Sequence, residues 1–146
     1  MPAVNSTVEI AADAEAVFAF ASDLRNEPRW NPDCRAVTKL DDGPVGVGAR
    51  YRAKWKGSPE LIVECVAYDK PRSWTNVNGG PISIRSAFTV TPTATGSVLA
   101  SYFAVQPHGI GKLFAPMFVR KMRRAIPGHL AAVRAILEST TTTTPA

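Results

Sequence analysis

The apolar positions of this chain recur at two different spacings, and the change from one to the other divides it into elements. Between Asn5 and Ile10, Ser6, Val8 and Ile10 alternate with Thr7 and Glu9, the period of two that marks a half-buried strand. A compact apolar run from Ala14 to Ala21 follows at once. Asp13, just before it, supplies a side-chain acceptor for the first turn, so a short helix is expected. Leu24 to Pro32 carries Asn26, Pro28, Trp30, Asn31 and Pro32, which leave room for one more short helical turn.

From Arg35 the period of two returns, broken by turn residues. Arg35 to Asp41 reads as a strand ending at Asp42 and Gly43, and Gly43, Gly46 and Gly48 punctuate the loop after it. In the next strand Tyr51, Ala53 and Trp55 oppose Arg50, Arg52, Lys54 and Lys56, so its aromatic side faces a core or cavity and its cationic side faces water. Lys56 to Pro59 turns the chain into a strand from Glu60 to Tyr68. A four-residue loop pairs Trp55 with Glu60 and Tyr51 with Glu64, turning Glu64 inward, and a slip of one residue reverses that. Further strands are expected over Ser73 to Asn78, from Ile82 to Val90 with Arg85 outward, and over Ser97 to Gln106.

The period then changes to that of a helix, from about Gly111 to Glu138. With Phe118 as origin, Phe114, Met122, Ala125, His129, Ala132 or Val133, and Ile136 return to one face. Arg120, Arg123, Arg124 and Arg134 fall on other sides. The segment would reach roughly 40 Å, enough to span a small domain. Pro116 suits a first turn, which places the start of the regular helix near Ala115, and interior Pro127 predicts a bend around Arg123 to Pro127. Residues 139–146, with the run Thr140 to Thr144, have nothing to bury and are expected to be a disordered tail.

Strand, one or two short helices, hairpin-connected strands and a long helix make an α+β domain over residues 1–138. A curved antiparallel sheet of six to seven strands wraps the C-terminal helix, and a hollow is expected between them. The 146 residues, 45% of them hydrophobic, suffice for one core. Lys plus Arg number 17 against 12 Asp plus Glu, a net charge of +5. The positive residues are scattered except for Arg120, Lys121, Arg123 and Arg124, a set that reads as a solvated helix face, so no nucleic-acid partner is expected. Cys34 and Cys65 lie far apart, and His108 and His129 lack acidic or thiol neighbours at ligand spacing, so neither a metal site nor a cofactor is expected. Gly43, Gly46 and Gly48 lack the Lys-Ser or Lys-Thr of a phosphate loop. The polar N-terminal strand is unlike a signal peptide, and no apolar run approaches a membrane span. The expectation is a cytoplasmic protein without stable membrane insertion, monomeric or homodimeric.

Four stretches, in order, carry a resemblance: Ile10 to Phe18; Asn26-Glu27-Pro28-Arg29-Trp30-Asn31-Pro32; Gly43 to Tyr51; and Tyr68-Asp69-Lys70-Pro71-Arg72-Ser73-Trp74. Together they make the chain resemble the SRPBCC or START-like superfamily, in particular its polyketide cyclase/dehydrase and lipid-transport group, which shares a helix-grip fold with the major birch pollen allergen. The resemblance implies a deep hydrophobic cavity between sheet and long helix. It implies no single reaction, since members include cyclases, hormone binders and lipid carriers.

Within that frame Trp30, Tyr51, Trp55, Trp74, Phe88, Phe103, Phe114, Phe118 and Met122 are the candidates for walls that hold a lipid-like or polyketide-like molecule. Tyr51 and Glu64 are the candidate acid and base of the alternative reading, a polyketide cyclase or dehydrase. That reading requires both side chains to face one cavity.

Overall fold

The computed structural model describes residues 2–142, with side chains through residue 139. Strand β1 (Ala3–Ile10) leads into α1 (Ala14–Ala21), a 3₁₀ turn (Leu24–Asn26) and the single-turn α2 (Glu27–Trp30). Strands β2 (Cys34–Lys39), β3 (Arg50–Trp55), β4 (Leu61–Asp69), β5 (Ser73–Asn78), β6 (Ile82–Thr93) and β7 (Gly96–Pro107) follow, then α3 (Gly111–Thr142). The strands form one antiparallel sheet in the order β1-β7-β6-β5-β4-β3-β2, so only β1 has left its place in the sequence.

The local signals behave as their chemistry requires. Asp13 Oδ1 accepts from the Ala16 amide at 2.7 Å and caps α1. Asp23 caps the 3₁₀ turn through Arg25 N–H and also holds the Arg25 guanidinium. In β3, Tyr51 and Ala53 are buried while Arg50, Arg52 and Lys54 are exposed, as the aromatic and cationic faces required.

The expected β3–β4 register is wrong by one residue. Tyr51 pairs with Val63 and Arg50 with Glu64, so Glu64 lies on the convex side, half exposed, 3.8 Å from Arg50. A period of two turns a one-residue slip into a change of face. The turn closes through Ser58, whose amide donates to the Trp55 carbonyl while its hydroxyl contacts the Trp55 backbone from both sides.

The core stripe of α3 is also displaced. Ala115, Val119, Ile126, Leu130, Val133 and Leu137 are its buried residues, one position on from the Phe118 series. One residue is about 100° around a helix, so the Phe114, Phe118, Met122, Ala125 and His129 series borders the core without filling it. The helix already begins at Gly111, runs through both prolines and continues past Glu138 to Thr142; residues 143–146 of the expected tail lie outside the described residues. Gly111 is needed where it stands, because a Cβ there would strike the Pro81 carbonyl in the β5–β6 turn. Farther along, Arg123 donates to the Ala3 carbonyl at 3.3 Å and Glu138 accepts from the Ala11 amide at 2.9 Å, fastening α3 along β1.

The main core joins α1 and the later part of α3 to β1, β5, β6 and β7 through Val4, Val17, Phe18, Leu99, Leu130 and Val133 among others. Aromatic rings run from it toward the open end of the molecule. Phe18 meets Trp74 edge-on at 5.2 Å, Trp74 stacks on Phe88 at 4.8 Å, and Phe88 meets Phe103 edge-on at 5.6 Å. A second cluster, Leu24, Ala49, Tyr51, Ala53, Val63 and Cys65, closes the sheet under the 3₁₀ turn.

Candidate functional site

Between the first half of α3 and the concave face of the sheet lies a cavity of about 620 Å³. That volume is in the range of small-molecule sites. The α3 residues on its wall are Phe114, Met117, Phe118, Lys121, Met122, Ala125, Ile126 and His129; opposite them are Ile82, Ile84, Phe88 and Phe103 of β6 and β7. Trp30 of α2 and Trp55 of β3 close one end.

Seven of the nine wall residues named from the sequence therefore surround one space: Trp30, Trp55, Phe88, Phe103, Phe114, Phe118 and Met122. Tyr51 and Trp74 do not join them. Trp74, 2% exposed, is held between Phe18 and Phe88 inside the main core, and Tyr51, 1% exposed, is packed in the second cluster. Among the described residues the Tyr51 hydroxyl has no hydrogen-bond partner, and burial pushes its pKa up to about 12. With Glu64 on the opposite side of the sheet, Tyr51 and Glu64 form no acid–base pair.

The polar groups that do reach the cavity come from other positions. Glu27 lines the end beside Trp30. Its Oε2 accepts from Trp55 Nε1 at 2.6 Å and from Asn31 Nδ2 at 2.9 Å, and the Cys34 thiol is a third donor to it. Desolvation outweighs these donors and raises the Glu27 pKa. Burial, with the Glu27 charge adding to it, pushes the Cys34 thiol up to about 12, which leaves it an inert donor. The His129 ring lies 6.1 Å from Trp30, and burial lowers its pKa against a smaller opposing pull from Asp33, keeping the imidazole neutral at pH 7. Trp30 Nε1 is buried and has no acceptor among the described residues. On the sheet, Asn76 and Ser86 are cross-strand partners that both line the cavity. Their side chains make no hydrogen bond among the described residues. Lys121 and Asp33 also line the cavity, with the Lys121 ammonium 3.8 Å from the Asp33 carboxylate.

Three of these groups left a trace in the sequence. Asn76 shares the inward face of β5 with Trp74, and Ser86 sits between the inward Ile84 and Phe88, so each is a polar residue in an apolar series. Glu27 lies inside the Asn26 to Pro32 motif. Which donors would gather on it depends on α2 meeting β3, a contact between distant segments that no local spacing encodes. Among the described residues no set of three His, Cys, Asp or Glu side chains is placed to hold a metal, and no helix is long and apolar enough to cross a membrane.

The family model for polyketide cyclase/dehydrase and lipid transport matches residues 1–138. The chain belongs to that family. Its members are SRPBCC or START-like proteins, and the sheet curled about α3 is their helix-grip fold. No curated protein matches. Among solved structures, a START superfamily protein from Mycobacterium smegmatis superposes with a TM-score of 0.76 at 19% identity, covering 94% of this chain and 98% of its own. The polyketide-cyclase-like protein Cgl2372 from Corynebacterium glutamicum gives 0.65 at 24% identity, covering 97% and 96%. Ara h 8.0201 gives 0.70 at 12% identity, covering 94% and 98%. At such identities the likeness is one of fold. Family and fold are consistent with binding of a hydrophobic ligand.

Proposed function

We propose that the protein binds a hydrophobic small molecule, lipid-like or polyketide-like and bearing a polar group, between α3 and the sheet. The observation that carries this reading is the cavity of about 620 Å³, walled by Phe88, Phe103, Phe118 and Met122 and containing the unpaired Asn76 and Ser86. Voids of that size cost stability through lost contacts unless something fills them, and an amide facing an apolar space without a partner adds to the cost. An apolar body against the aromatic wall with its polar group on Asn76 and Ser86 relieves both. Native mass spectrometry of the protein isolated from its own host tests this: a retained apolar molecule is expected, displaced stoichiometrically by an apolar probe. Protein that carries no ligand and takes up no probe would overturn the reading.

One observation favours a second reading, in which the cavity also performs cyclase or dehydrase chemistry. Glu27 is a desolvated carboxyl at the cavity wall with its proton affinity raised, a suitable group for moving a proton at a bound carbonyl compound. Turnover of the retained molecule that disappears in Glu27→Gln, with binding preserved, would establish it. Binding without turnover in the wild type would leave a carrier.

A further inference from the structure

The most exposed large apolar side chains are concentrated where α3 begins. Ile110, Leu113, Phe114 and Met117 are 67%, 78%, 51% and 68% exposed. Their spacing of three, one and three puts them on one side of the helix. Contiguous apolar surface of this kind on a soluble domain marks a place of contact. Continuing along the same side, Arg120, Lys121 and Arg124 line a shallow groove with Met117. Lys112 is exposed in the first turn, and Lys56 lies at the cavity mouth. No acidic residue occurs between Gly111 and Leu137, against six Lys and Arg there, in a chain of net charge +5. Arg123 turns away to the Ala3 carbonyl.

We propose that this face docks peripherally on an anionic phospholipid bilayer. The apolar side chains enter the acyl boundary, and Arg120, Lys121 and Arg124 remain at the level of the phosphates. Met117 to Arg124 is about 10 Å along the helix axis, the depth over which an interfacial element passes from acyl chains to headgroups. Each part has a use at a bilayer: aliphatic area for burial, cations for the surface potential. Nucleic acid would use the cations and, of the stripe, Phe114 alone, since Ile110, Leu113 and Met117 supply nothing that stacks on bases. Phe114 and Met117 belong both to the exposed stripe and to the cavity wall. A docked protein thus presents its cavity mouth to the lipid, and an apolar ligand passes between bilayer and cavity without crossing water. That last step depends on the ligand-binding reading above; the docking does not.

The test is flotation of the full chain with vesicles of phosphatidylcholine, alone and with phosphatidylserine. Binding to the anionic vesicles, weakened by salt, is expected. Ile110→Ser with Leu113→Ser should lower it about tenfold or more, and Arg120→Glu with Arg124→Glu should abolish it. None of these four residues lines the cavity, so both variants should keep the wild-type melting curve and bind Nile red normally without vesicles. Absence of vesicle binding, equal binding to neutral vesicles, or equal binding by either variant would overturn the docking. So would a dimer in solution that dissociates in Ile110→Ser/Leu113→Ser while vesicles are ignored, since a second copy would then cover the stripe. Vesicle binding by a protein that fails to take up Nile red would leave the docking standing and remove the ligand-binding reading.

Discussion

The two halves of α3 lie over the same sheet and make different things of it. From Ile126 onward its inward residues are Ile126, Leu130, Val133 and Leu137, all buried against α1, β1 and the central strands. Before that point the helix buries only the smaller Ala115 and Val119 and offers Phe114, Phe118 and Met122 beside them, and these larger side chains end on a cavity instead of closing it. Larger residues occur where packing is incomplete. They act as walls, while the medium-sized aliphatics farther along are close enough to the strands to exclude everything else. One helix thus anchors the domain with its second half and roofs the site with its first.

Truncation in the two halves should separate these roles by the largest margin. Leu130→Ala leaves a hole in the closed half and is expected to cost about 2–5 kcal/mol in urea denaturation. Met122→Ala, on the cavity wall, should cost about 1 kcal/mol or less, because its side chain already faces space. Equal costs would mean that the first half packs as tightly as the second.

The next effect is smaller and depends on pH. Glu27 has a folded pKa raised by desolvation above its ordinary 4.5. The folded protein therefore holds this proton to higher pH than the unfolded chain, and stability falls as pH rises from about 4.5 through the folded pKa. His129 works the other way: its lowered folded pKa makes stability rise as pH climbs from that folded value to the ordinary 6.5. Comparing the wild type with Glu27→Gln cancels the histidine. The variant should gain on the wild type with rising pH over that window, as followed by chemical denaturation. A constant difference would place the carboxyl in contact with water.

Much of the fold could be read from the sequence because it is written in short-range terms. Asp13 caps α1, the contrast of Tyr51 and Ala53 with Arg50 and Arg52 turns β3 the right way, and β5 occupies Ser73 to Asn78 as expected. What was illegible depends on single-residue offsets. The β3–β4 pairing sets Arg50 opposite Glu64, a register one residue shorter than a four-residue loop gives, which sends Glu64 outward. The core stripe of α3 begins at Ala115, so the Phe118 series reached the wall of the cavity through an argument about the core. Aromatic residues alone could not separate wall from core either. Trp74 and Phe88 stack face to face, yet only Phe88 reaches the space.

A mild effect is expected in the turn after Pro127. Gly128 lies inside α3 on its exposed side, and a Cβ there would meet nothing within 4 Å. Gly128→Ala should stabilise by about 0.5–1 kcal/mol in thermal melts, by helix propensity alone. A loss would show that this turn needs a freedom only glycine provides.

The central claim is that the space under the first half of α3 is a binding site, and filling it tests that claim most directly. Ser86 lines the cavity floor between Asn76 and Phe103, its partners on β5 and β7. Ser86→Phe should take up room that the ligand needs. Nile red titration is predicted to show affinity reduced at least tenfold, with the melting temperature equal to that of the wild type or above it. Unchanged probe affinity in a folded Ser86→Phe protein would place the binding elsewhere and contradict the account.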